Sequence, residues 1–314
     1  MSAVSPPLAG SLEHEAFFYD SERQYVEVLA PLLDEALASG DLAMVVVPDA
    51  RARALASALG DHASQVQRVA ADAWYDHPVA TIAAYDARLR SLPPGRRAVV
   101  VGEVEFGERA AHWTIWTRYE AALNEALRRY PARIVCPYDR RRLVPSVIED
   151  GHRTHPALLD AGGSRPSGGY VPAGQLAGLL PATVEIPDIE PDVDLPVVAL
   201  QELWNLRKGV AAAAARAGLG ADRVAELTLA VNEVATNALS HGGGPVRLKI
   251  WVTAGSLTCV VSDGGPGTDP LTGMAPPAAK SESGYGLWLF RLLFDRSDLR
   301  RGEHGFTVAA SASR

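Results

Sequence analysis

Short, continuously apolar runs punctuate the first half of the chain. Residues 42–48 read LAMVVVP and residues 97–103 read RAVVVGE. Runs of this length, bounded by glycine, proline or charge, predict strands buried on both faces, as in a parallel sheet. A third strand is predicted over 132–136 and a shorter one over 66–70, with Ala16-Phe17-Phe18-Tyr19 as a further β-rich run. Between them, apolar residues recur at helical spacing over 21–39, 49–59, 79–91 and 110–130, and Gly40 closes the first of these segments. Strand–helix alternation of this kind predicts an α/β domain with a largely parallel sheet flanked by helices.

The order changes near residue 195. Two helices are predicted first, over 197–217 and 221–240, with Gly218-Leu219-Gly220 as C-cap and turn between them. Residues 246–252 and 257–262 then read as an antiparallel hairpin around Ala254-Gly255-Ser256, followed by a helix near 286–294 and a closing strand over 305–310. Helices layered on one face of a mostly antiparallel sheet make an α+β sandwich. The stretch 161–193 is rich in glycine, proline and serine and then in acid–proline pairs, which discourages regular structure. The expected organisation is therefore a disordered 1–12, a first domain over 13–165, a linker over 166–194 and a second domain over 195–314.

Length and charge narrow the picture. The chain has 314 residues, enough for two cores. A formal net charge of −7 argues against a nucleic-acid or anionic-membrane surface, so any effect on transcription should pass through protein partners. Residues 1–16 carry no basic segment and no apolar core, so no secretory leader is expected, and no apolar run is long enough to cross a bilayer. The two cysteines, Cys136 and Cys259, fall in different predicted domains, which excludes a disulfide framework and favours a reducing cytoplasm. Neither GxxxxGK(S/T) nor GxGxxG occurs, so the first domain lacks the phosphate cradles of P-loop and dinucleotide-binding folds.

The chemistry concentrates in the second half. Glu233 and Asn237 are one helical turn apart, so the carboxylate and the amide project from the same face. An Asn carbonyl is a hard ligand suited to Mg²⁺, and a carboxylate beside it can accept a proton from an attacking hydroxyl. Alone, Glu-x-x-x-Asn says little. Downstream, however, Asp263-Gly264-Gly265-Pro266-Gly267 follows a predicted strand, and Gly284-Tyr285-Gly286-Leu287 opens a predicted helix. An Asp at a strand end can accept a hydrogen bond from an adenine amino group, while glycines at a helix start present free N–H groups to phosphate. Residues 268–283, with Pro276, Pro277 and Lys280, have the composition of a lid.

In this order, NEVATNALSHG, VSDGGPG and GYGLWLFRLLFD resemble the N, G1 and G2 boxes of the GHKL ATPases. Within that superfamily they are most similar to the bacterial anti-sigma-factor serine/threonine kinases. The resemblance covers about 120 residues, including Leu206-Arg207 and the 305–308 strand, and implies a Bergerat-type ATP-binding sandwich. It implies Glu233 as general base and Asn237 as Mg²⁺ ligand. Asp263 would read adenine, with Gly265, Gly267, Gly284 and Gly286 shaping the pocket and lid hinges. Partners implied are a STAS-domain anti-anti-sigma protein, a sigma factor, or both, with a homodimer compatible. A nucleotide-gated switch without phosphotransfer and a sensor histidine-kinase-like protein are the alternatives, the latter disfavoured because no phosphoacceptor helix pair is evident. His241, just after the first box, suits a helix terminus.

The first half resembles the MEDS (methanogen/methylotroph DcmR-type) sensory domain through His14 with Phe17-Phe18-Tyr19-Asp20, the Glu103 region, Cys136-Pro137-Tyr138-Asp139 and His155-Pro156, over about 13–170. That resemblance implies small-molecule sensing and a RecA/KaiC-related fold without its ATP site. His14, Cys136 and His155 are residue types that ligate soft or borderline metals, and Tyr138, Trp113 and Trp116 suit an apolar pocket. His14, Cys136, Tyr138 and His155 are thus the candidate sensory residues, with a small molecule, a metal or haem left open as ligand. Cys136 is expected just beyond a buried strand, at the carboxyl end where open α/β sheets place ligands. Arg128-Arg129 and Arg140-Arg141-Arg142 are expected on solvated faces.

Overall fold

The structure, a computed structural model, describes residues 11–107, 110–253, 255–278, 284–302 and 305–314. Most of the expected disordered N-terminus, and the 279–283 part of the expected lid with Lys280, lie outside the described residues. The chain divides into two units, Met1–Leu176 and Ala177–Arg314.

The first unit runs β1 (Glu13–Tyr19), α1 (Glu22–Ala38), β2 (Leu42–Val47), α2 (Asp49–Leu59), β3 (Gln67–Ala70), α3 (Ala71–Trp74), α4 (Pro78–Arg90), β4 (Ala98–Gly102), α5 (Ala110–Ala126), β5 (Ala132–Asp139), α6 (Pro145–Thr154), β6 (Ala157–Asp160) and β7 (Gly163–Pro166). Its sheet has the order β3-β2-β4-β5-β1-β6-β7, parallel throughout except for β7. The apolar runs at β2 and β4 are central strands, as their composition requires. Ser21 caps α1, its hydroxyl accepting the Gln24 N–H at 3.1 Å. The buried α1 stripe Tyr25, Leu29, Leu33 and Ala36 packs with Leu55 of α2 onto Phe17, Val45, Val101 and Val135.

Two local readings change here. Within the 161–193 stretch, whose composition discourages regular structure, Gly163–Pro166 pairs antiparallel with β6 as a fully exposed edge strand, β7. No side chain of it is buried, so its composition looks like a loop; besides the backbone pairing, Ser164 donates to Glu15 and accepts from Arg133, and Arg165 donates to Asp160. The strand expected to end at Cys136 runs on to Asp139, because pairing with β1 continues from Arg133 to Asp139. β4 is paired only as far as Val135, leaving Pro137 a strand neighbour on one side, where a missing N–H is tolerated.

After α7 (Ala173–Leu179), the second unit runs β8 (Val193–Val197), α8 (Leu203–Arg216), α9 (Ala221–His241), β9 (Val246–Thr253), β10 (Ser256–Asp263), α10 (Tyr285–Leu293), β11 (Arg296–Gly302) and β12 (Gly305–Ser313). The five strands form an antiparallel sheet ordered β11-β12-β10-β9-β8. α9 buries Leu227, Ala230, Val231, Val234, Ala235 and Ala238, a helical stripe facing Leu248, Ile250, Cys259, Val261 and Ala310 of the sheet. Helices on one face of an antiparallel sheet give the expected α+β layer.

The expected helix over 197–217 begins only at Leu203, since 193–197 are claimed by edge strand β8. Pro196 is compatible with that edge position. The acid–proline stretch before it is pinned to the second unit. Thr183 and Val184 each donate a backbone N–H to buried Asp298 at 2.7 Å, and Trp251 Nε1–H donates to the Ile189 carbonyl at 2.8 Å. A few tertiary hydrogen bonds thus order a segment whose composition reads as structureless. No described helix is long and apolar enough to cross a membrane.

Candidate functional site

In the second unit, α9 carries Glu233 and Asn237 on one face, β10 delivers Asp263 at its end, and α10 begins at Tyr285, just after Gly284. Gly284 sits at φ +94° as the residue before the helix, a left-handed conformation that glycine adopts without strain. Two residues on, Gly286 is pressed against α9. A Cβ there would lie 2.7 Å from Asn237 Nδ2 and 3.3 Å from Glu233 Cβ, so only glycine lets the helix start approach both residues. Asp263 Oδ1 accepts the Gly265 N–H at 2.6 Å, folding the DGGPG segment back onto the strand end. The turn after α9 packs against this loop, with a Cβ on Gly242 reaching 2.7 Å from Asp263 Oδ1.

These elements enclose a cavity of about 350 Å³ whose walls include Asn237, Asp263, Gly267, Gly284, Leu287 and Phe306. That lies within the usual size range of small-molecule pockets, about 300–1,000 Å³. Four of the six residues expected to bind cofactor therefore line one cavity. Gly265 and Gly286 are buried behind it and act by permitting close backbone approach. Glu233 is half-buried beside Gly286 and does not line the cavity. His241 is the last residue of α9, as expected, and also lines the cavity. Sequence reasoning did not name Gly242 or Phe306 as site residues, although the first box ends on Gly242 and the 305–308 strand contains Phe306. Replacing Gly286 by valine is expected to push α10 off Asn237 and abolish nucleotide-dependent protection of this cavity from hydrogen exchange, while Gly168→Ala, in open space and at an ordinary φ, leaves it intact.

In the first unit, three of the four candidate sensory residues converge. His14 and Cys136 sit diagonally on adjacent strands, because Ala16 pairs with Cys136 and His14 with Ile134. His155 follows α6. Between them stands a residue the sequence reading missed, Glu120 of α5. Its Oε2 is 3.2 Å from His14 Nε2, 3.5 Å from Cys136 Sγ and 3.5 Å from His155 Nε2, while Cys136 Sγ is 3.4 Å from His14 Nε2. All four side chains are buried. The signal for Glu120 was a carboxylate on the apolar stripe of α5, four residues after Trp116 and three before Leu123. Tyr138 is outside this set; its buried ring stands edge-on to His155 at 5.7 Å. Trp116 packs edge-on against Tyr75 and Tyr119 as helix core, and half-buried Trp113 donates its indole N–H to the Gly107 carbonyl.

A second cavity of about 380 Å³ opens at the carboxyl ends of β4 and β5, where Glu103, Phe106, Pro137, Asp139 and Arg142 line it. Burial pushes the Glu103 carboxyl above its usual range, and the Tyr19 hydroxyl donates to it at 2.9 Å. Asp139 is held below its usual range, chiefly by its hydrogen bond from Arg141. The arginine runs are exposed but paired: Arg140 meets Asp20, Arg128 meets Glu125 and Arg129 meets Asp86.

Comparison with known proteins agrees with both halves. Residues 13–156 match the family model of the MEDS, methanogen/methylotroph DcmR sensory domain. Residues 198–312 match that of the histidine kinase-like ATPase domain. No curated protein matches. Among solved structures, the RsbU and RsbW domains of Rv1364c from Mycobacterium tuberculosis match at 18% identity and a TM-score of 0.28, over 39% of this chain and 33% of that one. The match thus spans about a third of that protein's length. By its two matched segments, the chain carries a MEDS sensory domain followed by a histidine kinase-like ATPase domain.

Proposed function

We propose that this chain is a cytoplasmic bacterial signalling regulator whose N-terminal domain senses a small molecule and controls an ATP-dependent anti-sigma-factor serine/threonine kinase. The observation that carries the kinase half is the single cavity onto which Asn237, Asp263, Gly267 and Gly284 converge, with Glu233 one turn away. The residues fit Mg²⁺-ATP: a hard amide ligand, a carboxylate suited to adenine, and helix-start glycines whose missing side chains leave room for phosphate. Bound there, Mg²⁺-ATP supplies the phosphoryl group and neutralises part of its charge. Asn237 would hold the metal and Asp263 would accept the adenine amino hydrogen. Glu233 would take the proton of a partner's serine or threonine hydroxyl as that oxygen attacks. The partner class is a STAS-domain protein, with sigma-factor sequestration as the regulatory consequence.

The N-terminal sheet, read as a RecA/KaiC relative without a phosphate loop, would admit its ligand at the Glu103 cavity, since open parallel sheets bind ligands at their carboxyl ends. A second reading, a nucleotide-gated switch without phosphotransfer, is favoured by one observation: Glu233 is absent from the cavity wall.

The test is transfer of label from Mg²⁺-ATP to a STAS-domain protein, alongside calorimetric ATP binding. Asn237→Ala is expected to weaken ATP binding by about 10- to 100-fold, the usual cost of losing a contact to a charged group. Normal ATP affinity in that variant would remove Asn237 from the site. Binding without transfer in the unaltered protein would remove the kinase.

A further inference from the structure

We infer that His14, Glu120, Cys136 and His155 form a closed, four-ligand site for one divalent transition-metal ion of the zinc class. Each residue offers one ligand atom, and the four atoms lie within 4.8 Å of one another. With metal–ligand bonds of about 2.0–2.3 Å, the edges of a tetrahedral site are about 3.3–3.8 Å. The four contacts involving Sγ, Oε2 and the two imidazole nitrogens measure 3.2–3.5 Å, already close to that spacing. The ligands come from β1, α5, β5 and the end of α6, so no local sequence feature forces them together.

The protons decide what belongs between them. His155 Nδ1 lies 2.8 Å from the Gly151 carbonyl, which can only accept, so Nδ1 carries the ring proton and Nε2 is bare. His14 Nδ1 lies 3.1 Å from Asn124 Oδ1, and that amide is oriented by its own donation from Nδ2 to the Thr154 carbonyl at 2.8 Å. Nδ1 of His14 is therefore the donor too, and its Nε2 also presents a lone pair. Two bare imidazole nitrogens, a carboxylate oxygen and a sulfur thus face one another. Even with the thiol and the carboxyl both protonated, two protons serve four acceptor atoms, and buried His155 Nε2 has no hydrogen-bond partner. A cation resolves this arrangement.

Charge gives the same answer. A thiolate and a carboxylate with two neutral imidazoles are balanced by one dication. Ligands of this kind bind in their deprotonated forms, a thiolate and neutral imidazoles, so metal binding releases protons. On binding, the sulfur–metal bond forms and the Cys136 proton leaves to solvent. Asn124 and the Gly151 carbonyl are the outer partners that orient the two histidines. Two histidines, a thiolate and a carboxylate in a compact set suit Zn²⁺ or Co²⁺ better than Mg²⁺ or Ca²⁺, which prefer all-oxygen sites.

The test uses the full chain. Metal analysis of protein purified without chelator is expected to show one equivalent of zinc. After removal of metal, Co²⁺ titration is expected to give the visible d–d bands of a four-coordinate site and a sulfur-to-cobalt charge-transfer band, saturating at one equivalent. Cys136→Ser should lose the charge-transfer band while keeping its far-ultraviolet circular dichroism. Asn124→Ala, as a positioning change, should weaken Co²⁺ binding by about 10- to 100-fold and keep the band. Absence of the charge-transfer band in the unaltered protein would overturn the assignment, whatever the variants do. So would a spectrum unchanged by Cys136→Ser, which would place the metal elsewhere.

Discussion

Replacing Glu233 by glutamine is expected to slow phosphoryl transfer to a STAS-domain partner by about 100- to 10,000-fold, the span typical of a lost general base. ATP affinity should stay within about threefold, because an interaction used only as the hydroxyl is deprotonated does not report on ground-state binding. The structure makes this separation a fair test. Glu233 stands off the cavity wall that Asn237 and Asp263 form, and its Cβ packs beside Gly286. Glutamine preserves that packing and removes only the basic oxygen. Single-turnover transfer and calorimetry on the same preparation measure the two quantities. Wild-type transfer rates in Glu233→Gln would exclude the general-base role. Loss of ATP binding would instead mean that Glu233 supports the pocket.

Truncating Phe290 to alanine is expected to cost about 3–5 kcal/mol in the C-terminal domain. Phe290 is fully buried, packs tilted against Phe294 with ring centroids 4.6 Å apart, and belongs to the core that joins α9, α10 and the sheet. Domains are typically stable by about 5–15 kcal/mol, so this loss is a large fraction of the whole. Because α10 also brings Gly286 against Asn237, ATP binding should fall with stability, and saturating ATP should recover part of the melting temperature. Leu229→Ala, at a half-exposed helix position, should stay within about 0.5 kcal/mol. Differential scanning calorimetry with and without nucleotide distinguishes these outcomes; equal effects of the two truncations would contradict the core described for α10.

Much of the architecture was legible because hydrophobic periodicity is a local property. The continuously apolar 42–48 and 97–103 runs became β2 and β4, and the helix expected over 49–59 is α2. Edge strands were hidden. β7 is wholly exposed and β11 reads RSDLRRG, both poor in the alternation that marks a half-buried strand, while β8 alternates as VDLPV but is short and carries Pro196. The 183–189 segment was hidden for a related reason: its order comes from Asp298 and Trp251, more than sixty residues away.

The two sites divide in the same way. The cavity proposed for nucleotide was readable because it is built from short ordered motifs whose chemistry is explicit in adjacent residues: Asn237 one helical turn from Glu233, Asp263 at a strand end, and glycines at a helix start. Sequence by itself determined the two domain types, the residues proposed for nucleotide binding and the histidine and cysteine candidates. Tertiary structure alone decided that Glu120 joins His14, Cys136 and His155, that β5 runs on past Cys136, and that Tyr138 stands outside that set with its ring edge-on to His155. The reason is physical: periodicity and turn chemistry act between neighbours in the chain. Whether a lone carboxylate on an apolar helix stripe meets a thiol and two imidazoles depends on strand order and register, which are set by the packing of the whole sheet.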